Sequence, residues 1–367
     1  MKNKLIAITF VFMLAGGAIW GIASPDKYYS ESEKRTLTQR PTITTNSIIN
    51  GKSATAIENY ISDQFPMRDN WVTIKSLNEL LLGKRENGNV YFADDGYLID
   101  KLTCIDSAQY SANLKAISNL SKKLNTMDIP LYFMPVPTAS WILKDRLPYC
   151  APNINQVDFI NNASDYGINV INTSDILNEH KEEYIYYKTD HHYTSLGAYY
   201  CYLAWASACD HTVHPLSEWN KEVLCNNFRG TTYSKVNYPF APYDTITAYY
   251  RYDSHKVNYN NGNYITDSIY ERKYLNGHDQ YAVFLNSNQS TTVINGSGNG
   301  RLLILKDSYA NTFAQFVMDD YSETHLIDMR FYNGSISQYV KDNDITEVLV
   351  LYNLPNFASD TYISHCS

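Results

Sequence analysis

Two polar runs in this sequence place titratable and nucleophilic side chains in a pattern that permits covalent catalysis. The first is Tyr187-Lys188-Thr189-Asp190-His191-His192-Tyr193-Thr194. An acid two residues before an imidazole can leave an extended segment on the same side as that imidazole. The acid then holds Nδ1–H while Nε2 stays free to act as a base. The second run is Lys306-Asp307-Ser308-Tyr309-Ala310, which follows the most continuous apolar stretch of the chain, Arg301-Leu302-Leu303-Ile304-Leu305. A serine on a strand-to-helix turn presents its hydroxyl at the end of a sheet, beside the first free N–H groups of the next helix. Ser308 as nucleophile, His192 as base and Asp190 as orienting acid therefore form one candidate set. Ser308 taken alone reads as an ordinary helix N-cap.

The neighbours of these residues divide less sharply. His191 points opposite to His192 and is a packing or substrate-side group. Tyr193 and Tyr309 are aromatic candidates for the substrate wall. Asn353, at the end of a late apolar run, either donates an amide proton to an oxyanion or is a strand-ending turn residue. Asp190, His191 and His192 also have the composition of a metal set, as in a DHH-type phosphoesterase. That chemistry needs further acidic motifs on early strand ends, which are missing, so no metal is expected. His211 and His214 lack the glutamate of a zincin pattern and read as solvated surface residues.

The elements that must position these groups follow from periodicity. Apolar residues at three-to-four spacing predict helices over 53–65, 70–82 and 106–125, and one starting at Thr194 and running to Cys209. Continuous apolar runs predict buried strands at 131–137, 167–172, 301–305, 325–329 and 347–353, a five-stranded, mainly parallel sheet covered by helices. Ligands of such sheets bind beyond the carboxyl ends of the strands, where Thr138 to Ser140, Asn172 to Asp175 and the Asp190 run fall. Asp94-Asp95-Gly96 marks a hairpin within 89–99. Residues of about 228–289, rich in Tyr and Asn, read as a β-rich insertion along one edge of the site, with a tight turn at Asn260-Asn261-Gly262-Asn263. The glycine-rich stretch 295–300 precedes its strand and lacks the spacing of a nucleophile elbow, so it reads as a plain loop.

The chain has 367 residues, 44% of them apolar and 19% charged, which is ordinary for a globular protein. A formal charge of -8 without clustered Lys and Arg argues against nucleic acid as a partner. The 33 tyrosines suit sugar-binding faces, although a Tyr-rich proteome would give the same count. None of the six cysteines lies in a CxxC pair; Cys104 and Cys150 can bridge across one helix–strand unit, or the thiols stay free. Lys2 and Lys4 precede about 20 uncharged residues, Leu5 to Ser24, enough to span a bilayer with the N-terminus inside. A signal anchor is favoured over a signal peptide cleaved after the small residues near Ala23. A polar juxtamembrane tether, 25–52, then leads to a catalytic domain over 53–367.

Thr189-Asp190-His191-His192-Tyr193-Thr194, Gly197-Ala198 and Lys306-Asp307-Ser308-Tyr309 together resemble the DHHW protein family, which is similar to the SGNH-like acetyltransferase domains of the alginate O-acetylation machinery. Ser30 to Arg35, Asp63-Gln64-Phe65-Pro66-Met67-Arg68 and Phe228-Arg229-Gly230-Thr231 resemble further family segments. Tyr193 stands where the family usually has Trp. The resemblance implies an α/β, SGNH-hydrolase-like three-layer fold with Asp190, His192 and Ser308 as the triad, and no cofactor. It also implies a polysaccharide acceptor and acetyl groups supplied by a membrane-bound O-acyltransferase.

The expected protein is thus a single-pass, membrane-anchored O-acetyltransferase with an extracytoplasmic domain, secreted if the leader is removed. An acetylesterase with the same triad differs only in using water as acceptor. A silent glycan-binding or assembly subunit would keep the fold without the chemistry.

Overall fold

The computed structural model describes residues 2–30, 35–252 and 254–366; Glu31 to Lys34, within the Ser30–Arg35 motif, lie outside the described residues. The chain forms two compact units, residues 1–88 with 233–240, and residues 89–232 with 241–367.

In the first unit helix α1, Lys2–Ala23, contains an apolar 18-residue window from Lys4 to Gly21, charged only at Lys4 and long enough to cross a bilayer. Helices α2, Lys52–Asp63, and α3, Arg68–Leu81, meet at Pro66, and Met67 takes a left-handed conformation at the turn. The motif that spans this turn has a defined job. The Thr38 N–H and hydroxyl both donate to Asp63 Oδ2 at 2.8 and 2.7 Å, and Gln64 Nε2 donates to the carbonyls of Lys27 and Thr38 at 2.9 and 3.0 Å. The segment after α1 is therefore pinned to the α2–α3 corner by its backbone.

The second unit is a mixed α/β fold. Asp106 accepts from the N–H groups of Ala108 and Gln109 and so caps α4, Ser107–Asn125, whose apolar stripe is buried. The large sheet is built from β1 Leu131–Val136, β2 Asn169–Val170, β3 Val257–Tyr259, β4 Tyr264–Thr266, β5 Thr291–Asn295, β6 Arg301–Lys306, β7 Glu323–Ile327 and β8 Glu347–Asn353. Their spatial order is β4-β3-β5-β7-β6-β8-β1-β2. The run β7-β6-β8-β1-β2 is parallel and consists of the five segments expected from apolar runs. The sheet is nevertheless eight-stranded, because β5 and the β3–β4 hairpin extend it antiparallel from β7. β5, Thr291–Asn295, is short and ends at a glycine-rich turn, so its period does not stand out from the loop beside it.

Period-two alternation sorts the strands' side chains into two cores. Leu302, Ile304, Leu349 and Leu351 pack on one face with helices α5, Ser195–Ala208, and α6, Tyr309–Val317. Leu303, Leu305, Val348 and Val350 pack on the other with α4 and with α7, Leu354–Ser359. The result is three layers. The insertion is less β-rich than expected: besides β3 and β4 it contributes Asp244–Tyr250, paired antiparallel with Asn220–Phe228, and two short 3-10 turns at Arg272–Asn276 and Gln280–Val283. The turn within the β3–β4 hairpin is as read, with Asn260, Asn261 and Gly262 all at positive φ.

All six cysteines are free thiols, so Cys104 and Cys150 do not pair in this structure. His211 and His214 are not solvated surface residues. His211 stacks on Trp205 at 4.4 Å and reaches Glu347, and His214 lies between Glu218 and Asp320. Tertiary packing against residues distant in sequence overrides the local pattern here.

Candidate active site

The Asp190 run is a loop closed on itself before α5 begins. Tyr186 and Tyr193 form an antiparallel bridge, the Tyr187 N–H donates to the His192 carbonyl, and the Thr194 N–H donates to the Ile185 carbonyl at 2.9 Å. Thr194 is the N-cap, its hydroxyl accepting from Gly197 N–H at 3.3 Å and donating to the Tyr184 carbonyl at 2.7 Å. Gly197 is required by this closure, since a Cβ there would lie 2.3 Å from the Ile185 carbonyl oxygen. Below the loop, buried Asp244 accepts from the N–H groups of Lys188 and Thr189, each at 2.8 Å, from the Thr189 hydroxyl, and from the Tyr184 hydroxyl.

Within this frame Asp190 Oδ1 accepts from the His192 backbone N–H at 3.0 Å and lies 2.6 Å from His192 Nδ1. Asp190 Oδ2 accepts from the N–H and hydroxyl of Thr231 at 2.7 and 3.0 Å. Burial alone would raise the Asp190 carboxyl, but the two imidazoles beside it, the His192 hydrogen bond and the Thr231 N–H hold it well below the usual carboxylate range. Gly230 packs directly on it: a Cβ at that position would lie 2.1 Å from Asp190 Oδ2.

His192 Nε2 lies 2.7 Å from Ser308 Oγ. Ser308 occupies the N-cap position of α6, yet its side chain makes no capping hydrogen bond. Its hydroxyl is turned to the imidazole instead, which sets aside the simple capping role. Asp307 supports the turn from below. Its Oδ1 accepts from Tyr309 N–H at 2.9 Å, and its Oδ2 accepts from Asn353 N–H at 3.0 Å and from Asn356 Nδ2 at 2.7 Å, tying the ends of β6 and β8 together. Burial pushes the Asp307 carboxyl up against the pull of these donors. Burial likewise pushes the Lys306 ammonium, which donates to Asn288 and Asn311, down to about 8.

The remaining expected residues separate by position. Tyr193 and Tyr309 are fully buried; the Tyr193 hydroxyl donates to the Tyr309 carbonyl at 2.7 Å and the Tyr309 hydroxyl to the His191 carbonyl at 2.5 Å. They frame the site from inside and do not line the cleft. His191 and Asn353 do line it, in a cleft of about 250 Å³ that also includes Leu98, Lys101, Thr138 and Ser140. His191 Nδ1 contacts Thr231 Oγ1 at 2.6 Å. Asn353 Nδ2 is buried with no hydrogen-bond partner, although Asn353 itself is the N-cap of α7. Thr138 and Ser140 are held by fully buried Gln156, which accepts from Thr138 N–H at 2.9 Å and donates to the Thr138 hydroxyl at 2.7 Å. Asn172 instead serves a local turn, accepting from Ser174 N–H at 2.9 Å.

Three contributors carry no role in the sequence reading, although Thr231 falls in one of the family-like segments. Tyr281, from the insertion, stacks on the His192 ring at 3.8 Å and 11°. Its hydroxyl lies 2.6 Å from Thr312 Oγ1. Thr231 holds the outer oxygen of Asp190, and Gln156 orders the cleft wall. No local pattern marks Tyr281 or Gln156, because each acts through a partner far along the chain.

A buried carboxylate, an imidazole held through Nδ1, and a hydroxyl on Nε2 form a relay that can take the serine proton as the oxygen attacks a carbonyl. Asp190, His191 and His192 also bring ligand-type atoms within 4.8 Å of one another. The hydrogen bonds above already engage both Asp190 oxygens and both His192 nitrogens.

The sequence model of the DHHW protein family matches residues 86–327. No curated protein sequence matches the chain. Among solved structures, a DHHW family protein from Eubacterium siraeum is 26% identical, with a TM-score of 0.65 over 76% of this chain and 95% of that one. Bacillus cereus PatB1 with a sulfonyl adduct is 18% identical, with a TM-score of 0.62 over 76% of this chain and 99% of that one. PatB1 without the adduct is 19% identical, with a TM-score of 0.60 over 77% of this chain and 100% of its own.

Proposed function

The chain belongs to the DHHW protein family, and on that premise we propose that it is an extracytoplasmic O-acetyltransferase that modifies a cell-surface or exported polysaccharide through a Ser308 acyl-enzyme. The observation that carries this reading is the contact of 2.7 Å between His192 Nε2 and Ser308 Oγ, with Asp190 at 2.6 Å on the other ring nitrogen. His192 takes the Ser308 proton as Oγ attacks the acetyl carbonyl, then returns it to the leaving group. In the second half-reaction it deprotonates a sugar hydroxyl, which attacks the acyl-enzyme and releases Ser308. Asp190 keeps the imidazole in the productive tautomer and stabilises the imidazolium. The unpartnered Nδ2 of buried Asn353 supplies a donor for the oxyanion.

Helix α1 anchors the protein with its N-terminus inside, and a membrane-bound O-acyltransferase supplies the acetyl group. The close Ser308–His192 contact and the adjoining cleft favour chemistry over a silent binding role. Incubation of the full-length protein in detergent with an activated acetyl ester and a glycan acceptor tests the reading. Acetylated glycan should form and be lost in Ser308→Ala and His192→Ala; undiminished product in both variants defeats it. Acetate release without acetylated glycan identifies an esterase.

A further inference from the structure

The opposite end of the sheet holds a second cluster of chemically competent side chains. Cys209 Sγ, His211 Nε2 and a carboxylate oxygen of Glu347 all lie within 4.8 Å of one another. His211 Nε2 is 3.1 Å from Glu347 Oε2 and 3.0 Å from the Tyr321 hydroxyl. Stacking on Trp205 at 4.4 Å and 22° fixes the imidazole plane. Glu347 is 8% exposed, and its Oε1 is buried without a hydrogen-bond partner. His211 engages only Oε2, so a buried carboxylate oxygen is left without a partner, which is costly unless a further group completes it.

We infer that Cys209, His211 and Glu347 form a structural binding site for a divalent metal of the zinc class. Thiolate, imidazole and carboxylate together suit zinc and not magnesium or calcium, which take oxygen ligands. With metal–ligand bonds of about 2.0–2.3 Å, tetrahedral ligand atoms stand roughly 3.5 Å apart; His211 Nε2 and Glu347 Oε2, at 3.1 Å, are already that close, and the Cys209 sulfur lies within 4.8 Å of both. One thiolate and one carboxylate balance the charge of the ion, and neutral His211 adds none. Binding replaces the Cys209 S–H bond with a sulfur–metal bond and releases that proton to solvent. The Tyr321 hydroxyl or a water takes the fourth position. Chain spacing alone conceals the set, since only Cys209 and His211 are neighbours and Glu347 lies 136 residues beyond His211.

The site is far from the reacting atoms but shares their supports. Cys209 closes α5 at the end opposite Thr194, which follows the Asp190–His192 loop. Glu347 opens β8, and Asn353 ends it roughly 20 Å away at strand rise. The metal therefore clamps the far ends of α5, which follows the His192 loop, and of β8, which ends at Asn353.

The test uses full-length protein in detergent, stripped with a chelator and titrated with Co²⁺ and then Zn²⁺. One equivalent of Co²⁺ should give a thiolate-to-metal charge-transfer band that Zn²⁺ bleaches, and Zn²⁺ should protect Cys209 from alkylation as mapped by mass spectrometry. Cys209→Ser should abolish the band, and Glu347→Gln should weaken binding at least about tenfold. Asp190→Asn and the double variant Cys104→Ser, Cys150→Ser should keep it, which separates this site from the acid–histidine cluster and from the exposed thiols. No band in the wild type, or a band that survives Cys209→Ser, overturns the inference. Where Cys209→Ser fails to fold, unprotected alkylation of Cys209 in the zinc-loaded wild type overturns it equally.

Discussion

Asp190 distributes its two oxygens between His192 and Thr231, so that one side chain holds the imidazole ring and is itself held from the other side. Replacing it by Asn keeps the shape but offers an N–H where an acceptor is needed. Ester turnover in Asp190→Asn should fall by about 10³–10⁴-fold, with fluorophosphonate labelling of Ser308 reduced in parallel. Asn353→Ala should lower kcat by about 10²-fold with little change in KM, because its Nδ2 is needed only where negative charge develops. Lys306 makes a separate, pH-dependent contribution. Its folded-state pKa, lowered by burial to about 8, lies below the unfolded value, so the folded chain binds fewer protons between the two and stability rises with pH across that window. Relative to Lys306→Met, the wild type should gain roughly 2 kcal/mol of unfolding free energy between about pH 7.5 and 9.5, measured by denaturant titration. The meeting of Asp190, His192 and Ser308 was legible from residue type and spacing, because an acid and an imidazole two apart need only an extended segment to touch and a serine after a buried strand lies at the sheet's end. Tyr281 was not legible, since a stacking partner has no local signature.

Among the elements, two glycines decide whether the helix starts can approach the loop. At Gly230 an added Cβ meets the Asp190 carboxylate. Gly230→Ala should therefore cut turnover by more than about tenfold while circular dichroism and the melting temperature change little, because the carboxylate can move where the sheet need not. At Gly197 the added Cβ meets the backbone carbonyl of Ile185, which cannot move alone. Gly197→Ala should destabilise the second unit by about 1–3 kcal/mol in urea unfolding. Four of the five parallel strands and α4 and α5 were legible in apolar periodicity, since each is largely buried and of ordinary length. β2, Asn169–Val170, is shorter than its apolar run because pairing with β1 covers only two residues. β5 and the strand Asp244–Tyr250 escape notice for a different reason: threonines interrupt their apolar residues, so neither has a continuous apolar run.

At the scale of the whole molecule, the apolar window from Lys4 to Gly21 and the proposed catalytic set occupy different compact units. Removal of residues 1–24 should convert a protein that resists alkaline extraction from membranes into one recovered without detergent. Turnover of a small activated ester should change less than twofold, since Asp190, His192, Thr231 and Ser308 all belong to the second unit; a large loss would assign the first unit a part in catalysis. The closed loop before α5 also has a consequence for folding. Asp190 and His192 meet across two residues, whereas His192 and Ser308 meet across 116. The acid–base pair is a local product of the chain, and its contact with the serine is the long-range event whose loop-closure entropy must be met by the sheet. Ser308 reactivity thus serves as a folding clock. In refolding from denaturant, fluorophosphonate labelling should appear with the slow recovery of sheet structure and lag behind local helix formation.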